Sequence, residues 1–355
     1  MSETPGTVKM TESSSQGYPR VSAQQPDPVF GLPEADGSIG RLSQYRVLKQ
    51  LGCGGMGAVY LAQDEGLDRR VALKVMLPTA AADPIAKERF LREARAAASV
   101  QHDNIVTIYQ VGEDRNIPFL AMEFLSGSPL DRYLARKGKL SLAQVLRVGQ
   151  ETAEGLAAAH AKGLIHRDIK PANLWLEAPK GRIKILDFGI ARRVTDERAG
   201  LTGVGTVVGT PGYMSPEQAR GKQLDHRSDL FSLGVVLYEL LTGQCPFQGD
   251  SVLAILTSLA VDDPPPVSSL NPESPPELDA LIKGLLAKKP EDRPSSAQLL
   301  AEELKQIATG GGPVPLAEPV SAAVPKVVYV PIAVTAQEAF NAGDFEGLGR
   351  DSTEV

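Results

Sequence analysis

The stretch HRDIKPAN at residues 166–173, followed by DFG at 187–189, constrains this chain more than any other part of it. H-R-D with an Asn five places beyond the Asp arises by chance on the order of once in a thousand chains or fewer, so coincidental turn residues explain it poorly. DFG follows a β-like IKIL run, which places Asp187 at the end of a strand, 19 residues after Asp168. Two acids, an amide and a lysine (Asp168, Asp187, Asn173 and Lys170) therefore come in a fixed order. Any fold that uses them must bring a loop and a strand end together.

The texture on either side of this region differs. From residue 45 to about 123 the runs YRVLKQL, AVYLAQ, RVALKVM, IVTIYQV and IPFLAME are β-branched and partly alternating, as strands are. One helix interrupts them, with Asp83-Pro84 as cap and first-turn proline and Phe90, Ala94 and Ala97 at i, i+4, i+7. From about 128 onward the pattern is mostly helical. Ser141 with Gln144 forms a capping box for a helix ending at Gly163, and Ser295 with Gln298 repeats that signal. This predicts an α+β chain: a small β-rich lobe (43–123), a larger α-helical lobe (128–307) and a cleft between them.

Outside these bounds, residues 1–42 and 308–355 are rich in small residues, Pro and Gly, and are expected to be tails too poor in apolar surface to offset ordering entropy. The run VVYVPIAV (327–334) in the second tail is either an edge strand or an adhesive linker. No signal peptide is expected from MSETPGTVKM. Residues 228–241, SDLFSLGVVLYELL, contain Asp229 and Glu239 and are too short for a membrane span, so they predict a helix buried in a globular core. A net charge of −6 with both signs interspersed argues against nucleic acid as partner. Only Cys53 and Cys245 are available, which excludes a disulfide framework and predicts a cytoplasmic setting.

GCGGMGAV (52–59) places Gly52, Gly54 and Gly57 in the pattern G-x-G-x-x-G. With 34 glycines in the chain, chance alone supplies such a triplet about 0.3 times, so context decides. A strand follows where a dinucleotide-binding loop would open a helix; strand, glycine loop and strand is the form that folds over ATP phosphates, although a plain glycine-rich hairpin shares it. In RVALKVM (70–76), Ala72 and Lys74 share one strand face, while Val71, Leu73 and Val75 share the other. Glu93, on or beside the inward face of the helix that starts near Pro84, is placed to reach back to Lys74. The parts fit phosphoryl transfer. Asp168 is expected to accept or orient a hydroxyl proton, Lys170 to neutralise a γ-phosphate, Lys74 to hold the α- and β-phosphates, and Asn173 and Asp187 to ligate Mg²⁺ or Mn²⁺.

Residues 45 to about 307 resemble the eukaryotic-type protein kinases, most closely their bacterial serine/threonine members. The matching pieces run in family order: GCGGMGAV, VALK, Glu93, HRDIKPAN, DFG, GTPGYMSPEQ (209–218), SDLFSLG (228–234) and EDRP (291–294). The resemblance implies a two-lobe kinase fold with ATP in the cleft beneath a loop comprising Gly52, Cys53, Gly54, Gly55, Met56, Gly57 and Ala58. It implies Met122 as gatekeeper, the backbone of Glu123 and Leu125 at the adenine, and Leu51, Val59 and Ala72 as its roof. Trp175 is either the floor or an ordinary core aromatic. SPE stands in place of A-P-E, keeping Glu217 to pair with Arg293, and HDNI (102–105) departs from HPNI without touching a catalytic role.

Lys170 and Thr210 follow the serine/threonine pattern, so protein serines and threonines are the implied acceptors. The resemblance also implies activation by phosphate on segment 187–217. Thr202 or Thr206 is the expected site, Arg167 and Arg192 are the expected partners, and a pair of kinase molecules would perform the autophosphorylation. A pseudokinase is the rival from another class, but Lys74, Asp168 and Asp187 are all present. A small-molecule phosphotransferase leaves GTPGYMSPEQ unexplained.

Overall fold

A computed structural model describes residues 29–33, 36–54, 57–188 and 211–309. Six antiparallel strands form the first sheet: β1 (Gly40–Leu42), β2 (Tyr45–Gly54), β3 (Gly57–Asp64), β4 (Arg69–Met76), β5 (Ile108–Asp114) and β6 (Ile117–Glu123). Their order is β1-β2-β3-β4-β6-β5. The alternation in β4 divides the lobe. Val71, Leu73 and Val75 join the core cluster that holds Phe90 and Ala94, whereas Ala72 joins Val59, Met122, Leu125, Trp175 and Leu186 on the other face. Helix α1 (Pro84–Ala98) covers the first face, and its start is capped by Asp83, whose carboxylate accepts the Ile85 N–H at 3.0 Å.

Two boundaries in this lobe differ from expectation. The run IVTIYQV becomes strand only from Ile108, because Val106 N–H donates to the Ile185 carbonyl at 3.0 Å and Ile105 bridges Ile185 in parallel. Ordered structure also begins well before residue 43. Val29 and Phe30 are buried in the lobe core, and the Phe30 ring meets Tyr60 edge-on at 4.7 Å. The Phe30 carbonyl accepts Arg41 N–H at 3.0 Å, and β1 then pairs with β2. Gly40, at φ 146, lies so close to the Phe30 carbonyl that a Cβ there would collide with it. Two apolar side chains and one strand pairing are enough to hold a segment whose average composition is polar and small.

In the second lobe, β7 (Gly127–Pro129), β8 (Leu174–Glu177) and β9 (Arg182–Ile185) form a small antiparallel sheet. Around it stand α2 (Leu130–Lys137), α3 (Leu142–His160), α4 (Arg227–Thr242), α5 (Val252–Val261), α6 (Pro276–Leu285) and α7 (Ala297–Ala308). The Ser141–Gln144 capping box opens α3, and Gly163, at φ 71, stands just past its end. The cap of α7 is Ser296, one residue later than expected, with its hydroxyl accepting Leu299 N–H at 3.2 Å. Every residue of α4 except Arg227 and Glu239 is buried, including Ser228, Asp229 and Ser232. Among the described residues no helix is long and apolar enough to cross a membrane.

Removing the Phe30 ring empties a buried site in the first lobe. Phe30→Ala should lower unfolding free energy by about 3 kcal/mol, measured by urea denaturation. An unchanged midpoint would show that the segment adds nothing to the lobe.

Candidate active site

The loop carrying HRDIKPAN hangs from one buried carboxylate. Asp229, fully buried in α4, accepts His166 N–H at 2.8 Å and Arg167 N–H at 2.7 Å, and His160 Nε2 lies 2.8 Å from it. Burial pushes its pKa up, but the His160 hydrogen bond and charge, with help from His166, hold it below the ordinary aspartate value. Held at both N–H groups, the chain turns with Arg167 at φ 66, a conformation a non-glycine residue keeps only when its surroundings dictate it.

His166 passes the order on to the second motif. Asp168 N–H donates to His166 Nδ1 at 3.2 Å, so Nε2 bears the hydrogen and donates to the Leu186 carbonyl at 2.7 Å. Complete burial favours this neutral form and pushes the His166 pKa down, against the pull of Asp229. Its ring lies 4.8 Å from the ring of Phe188. Leu186 N–H in turn donates to the Asn173 carbonyl at 2.9 Å. Asp187 follows at φ 49, a second left-handed non-glycine residue.

These bonds bring the predicted polar groups together in two adjoining sets. Asn173 Nδ2 donates to the Asp168 carbonyl at 2.7 Å and to Asp168 Oδ2 at 2.9 Å, and Lys170 Nζ lies 3.0 Å from that same oxygen. Across the lobes, Lys74 Nζ donates to Asp187 Oδ1 at 2.7 Å, with the two side chains 8% and 12% exposed. This corrects one expectation: among the described residues no ion pair joins Lys74 to Glu93. The left-handed turn at Asp187 presents a carboxylate directly to the lysine, and that contact already satisfies the shielded ammonium.

The apolar residues assigned to the adenine pocket also converge. Val59, Ala72, Met122, Leu125 and Trp175 form one cluster, with Leu51 packed against it and Ala72 directly opposite Met122 in the sheet. Trp175 is fully buried and its indole N–H donates to the Ser126 carbonyl at 3.0 Å, beside the linker that carries Glu123 and Leu125. In the glycine hairpin Gly52 pairs with Val59, Cys53 with Ala58 and Gly54 with Gly57. A Cβ on Gly57 would stand 2.7 Å from the Val75 carbonyl, so this glycine lets β3 approach β4 closely. Cys53 is exposed. Gly55 and Met56 lie outside the described residues, as do Arg192, Thr202, Thr206 and Thr210.

Glu217 and Arg293 meet as a two-pronged pair at 2.7 and 2.8 Å, and Ser228 Oγ adds a third bond to Glu217 at 2.7 Å. Burial opposes the Glu217 charge, but the bonds from Arg293 and Ser228 outweigh it and hold its pKa below the ordinary glutamate value. Gln218, next in sequence, completes a capping box with Ser215 and donates to the Arg167 carbonyl at 2.9 Å. The structural roles of His160 and Gln218 escaped the sequence analysis. S-P-E-Q is legible as a capping box, but its spare amide hydrogen has no local signature.

Residues 45–304 match the protein kinase domain family. The chain belongs to that family. The chain is 41% identical over 285 residues to the serine/threonine-protein kinase pkn3 of Myxococcus xanthus, an alignment covering 78% of this chain and 52% of that protein. It is 39% identical over 274 residues to the serine/threonine-protein kinase PknB of Mycobacterium tuberculosis, covering 76% and 44% respectively. The chain thus spans about half or less of these relatives. The PknI kinase domain of Mycobacterium tuberculosis superposes with a TM-score of 0.60 at 30% identity, over 75% of this chain and 97% of that one.

The neutral, buried His166 gives the kinase domain a pH signature. Its folded pKa lies below the ordinary 6.5, so the unfolded chain binds more protons as pH falls through that value, and stability is lost on the acid side. The urea midpoint should therefore fall between about pH 7 and 5, and His166→Gln should flatten that part of the profile. Parallel profiles for the two proteins would contradict it.

Proposed function

We propose that this chain transfers the γ-phosphate of ATP to serine and threonine hydroxyls of proteins. The observation that carries the proposal is the convergence of Lys74 with Asp187 across the cleft, beside the bonded set Asp168–Lys170–Asn173. In this reading Asp168 orients the acceptor hydroxyl and takes its proton. Lys170, already at the same carboxylate oxygen, is near enough to meet the phosphate being transferred. Lys74 exchanges part of its contact with Asp187 for the α- and β-phosphates.

The donors for a divalent cation are Asp187 and Asn173. Asn173 directs Nδ2 to Asp168, which leaves its Oδ1 oxygen as the atom to offer. Among the described residues no group of three His, Cys, Asp or Glu side chains is arranged to hold a metal alone. Two oxygen donors, Asp187 and Asn173, suit Mg²⁺, which favours one or two protein oxygens together with substrate phosphates and retained water. Bound there, the ion neutralises phosphate charge.

Serine and threonine are preferred over tyrosine because Lys170 lies within HRDIKPAN, and because the similar proteins are named serine/threonine kinases. Activation by phosphate on Thr202 or Thr206 would place new charge near Arg167, whose carbonyl is already fixed by Gln218. A second kinase molecule is the natural catalyst of that transfer, with ATP giving the γ-phosphate and leaving as ADP. Two free cysteines suit a reducing cytoplasm.

Asp168→Asn and Lys74→Met should each lower kcat/KM for a protein substrate by about 10²–10³ or more while circular dichroism stays unchanged. Phosphoamino-acid analysis of the reacted substrate should return phosphoserine and phosphothreonine. A folded Asp168→Asn protein with near-normal turnover would defeat the assignment. Trp175 is the chain's single tryptophan, so its fluorescence should change on titration with MgATP if it floors the adenine pocket. A flat titration, with binding established by calorimetry, would make it an ordinary core residue.

A further inference from the structure

One shielded ion pair belongs neither to the phosphate-handling groups nor to the apolar core. Lys184, in β9, is 8% exposed at its side chain, and its Nζ lies 2.6 Å from Glu123 Oε1, whose side chain is 18% exposed. The same oxygen accepts Thr107 N–H at 2.7 Å, and the lysine also reaches the Ile105 carbonyl at 3.4 Å. Three segments meet at this point: the end of β6 where the lobe linker begins, the 104–107 stretch ahead of β5, and the strand that leads through Leu186 to Asp187.

The surrounding backbone makes this place a pivot. Ile185 N–H donates to the Asn104 carbonyl at 2.8 Å, and Asn104 Nδ2 donates to the Ile183 carbonyl at 2.9 Å. Glu123 N–H donates to the Thr107 carbonyl at 2.9 Å. The 104–107 stretch is thus bonded to β9 on one side and to the lobe linker on the other. A shielded ion pair is seldom the most stabilising choice, since apolar residues of similar volume do as well. Its directional bonds hold one backbone arrangement that apolar packing would leave loose.

We propose that Glu123 and Lys184 are positioning residues, whose ion pair fixes the lobe linker relative to the strand carrying Asp187. Nucleotide then meets adenine-facing backbone at Glu123 and Leu125 already set at one distance from its phosphate-binding groups. Preorganisation of this kind lowers the cost of binding and leaves the chemical step alone. This inference rests on the nucleotide-binding reading above.

The test measures MgATP affinity by titration calorimetry, with KM and kcat, for the full chain and for Lys184→Met, Glu123→Leu, the two combined, and Lys184→Arg. Each single variant should bind ATP roughly 10-fold more weakly and show the matching rise in KM, and for Lys184→Met, which touches no nucleotide-binding group, kcat at saturating ATP should stay within about twofold. The double variant leaves no lone buried charge, so its melting temperature should recover while its affinity stays low; Lys184→Arg should stay close to wild type. Wild-type affinity in either single variant, or affinity recovering together with melting temperature in the double, overturns the inference. A wild-type chain that binds no MgATP removes the nucleotide reading and this inference together. A wild type that binds ATP no better than its variants removes this one alone.

Discussion

A single carboxylate organises the centre of this kinase domain. Asp229 is an ionised group with no exposed surface, and it persists because two backbone N–H groups and His160 surround it. Removing one partner from such a buried charge typically costs about 3–5 kcal/mol, so the arrangement is close to all-or-none. The loop carrying Asp168 is therefore tied to α4, which is buried along almost its whole length, and takes its strained turn at Arg167 from that tie. Through His166 and Leu186 the same constraint reaches Asp187.

The junction between lobes is built from three kinds of contact with separate tasks. The Val59–Ala72–Met122–Trp175 cluster supplies apolar surface without direction. The backbone bonds between Asn104–Val106 and β9 supply direction. The ion pairs Lys74–Asp187 and Lys184–Glu123 place charge at two points along the strand 182–185 and its continuation, one beside the linker and one in the cleft. Glu217 and Arg293 perform an analogous task farther out. Their buried pair fixes the SPE segment, whose Gln218 then holds the Arg167 carbonyl.

Much of this was legible in the residues. The division of β4 into two faces follows from strict alternation, and the capping box at Ser141 and the cap at Asp83 follow from local chemistry. Motif order located the polar groups but not their partners. Lys74 has Glu93 and Asp187 as candidate anions, and only the backbone turn at Asp187 decides between them. Composition misjudged the segment before residue 43 because averaging hides Val29 and Phe30 among small residues. At Ser295 and Ser296 two adjacent hydroxyls offer the same cap, and sequence alone does not choose. Lys184 and Glu123 lie 61 residues apart, where no periodicity connects them.

In the function proposed for this chain, Lys74, Asp168, Asn173 and Asp187 serve one nucleotide triphosphate and its cation. A crystal structure with Mg²⁺ and a non-hydrolysable ATP analogue tests it most directly. Phosphate oxygens should contact Lys74, the cation should be held by Asn173 and Asp187, and the adenine should lie within the cluster of Val59, Ala72 and Trp175. A nucleotide bound elsewhere, or one in the cleft touching none of the four, would contradict it.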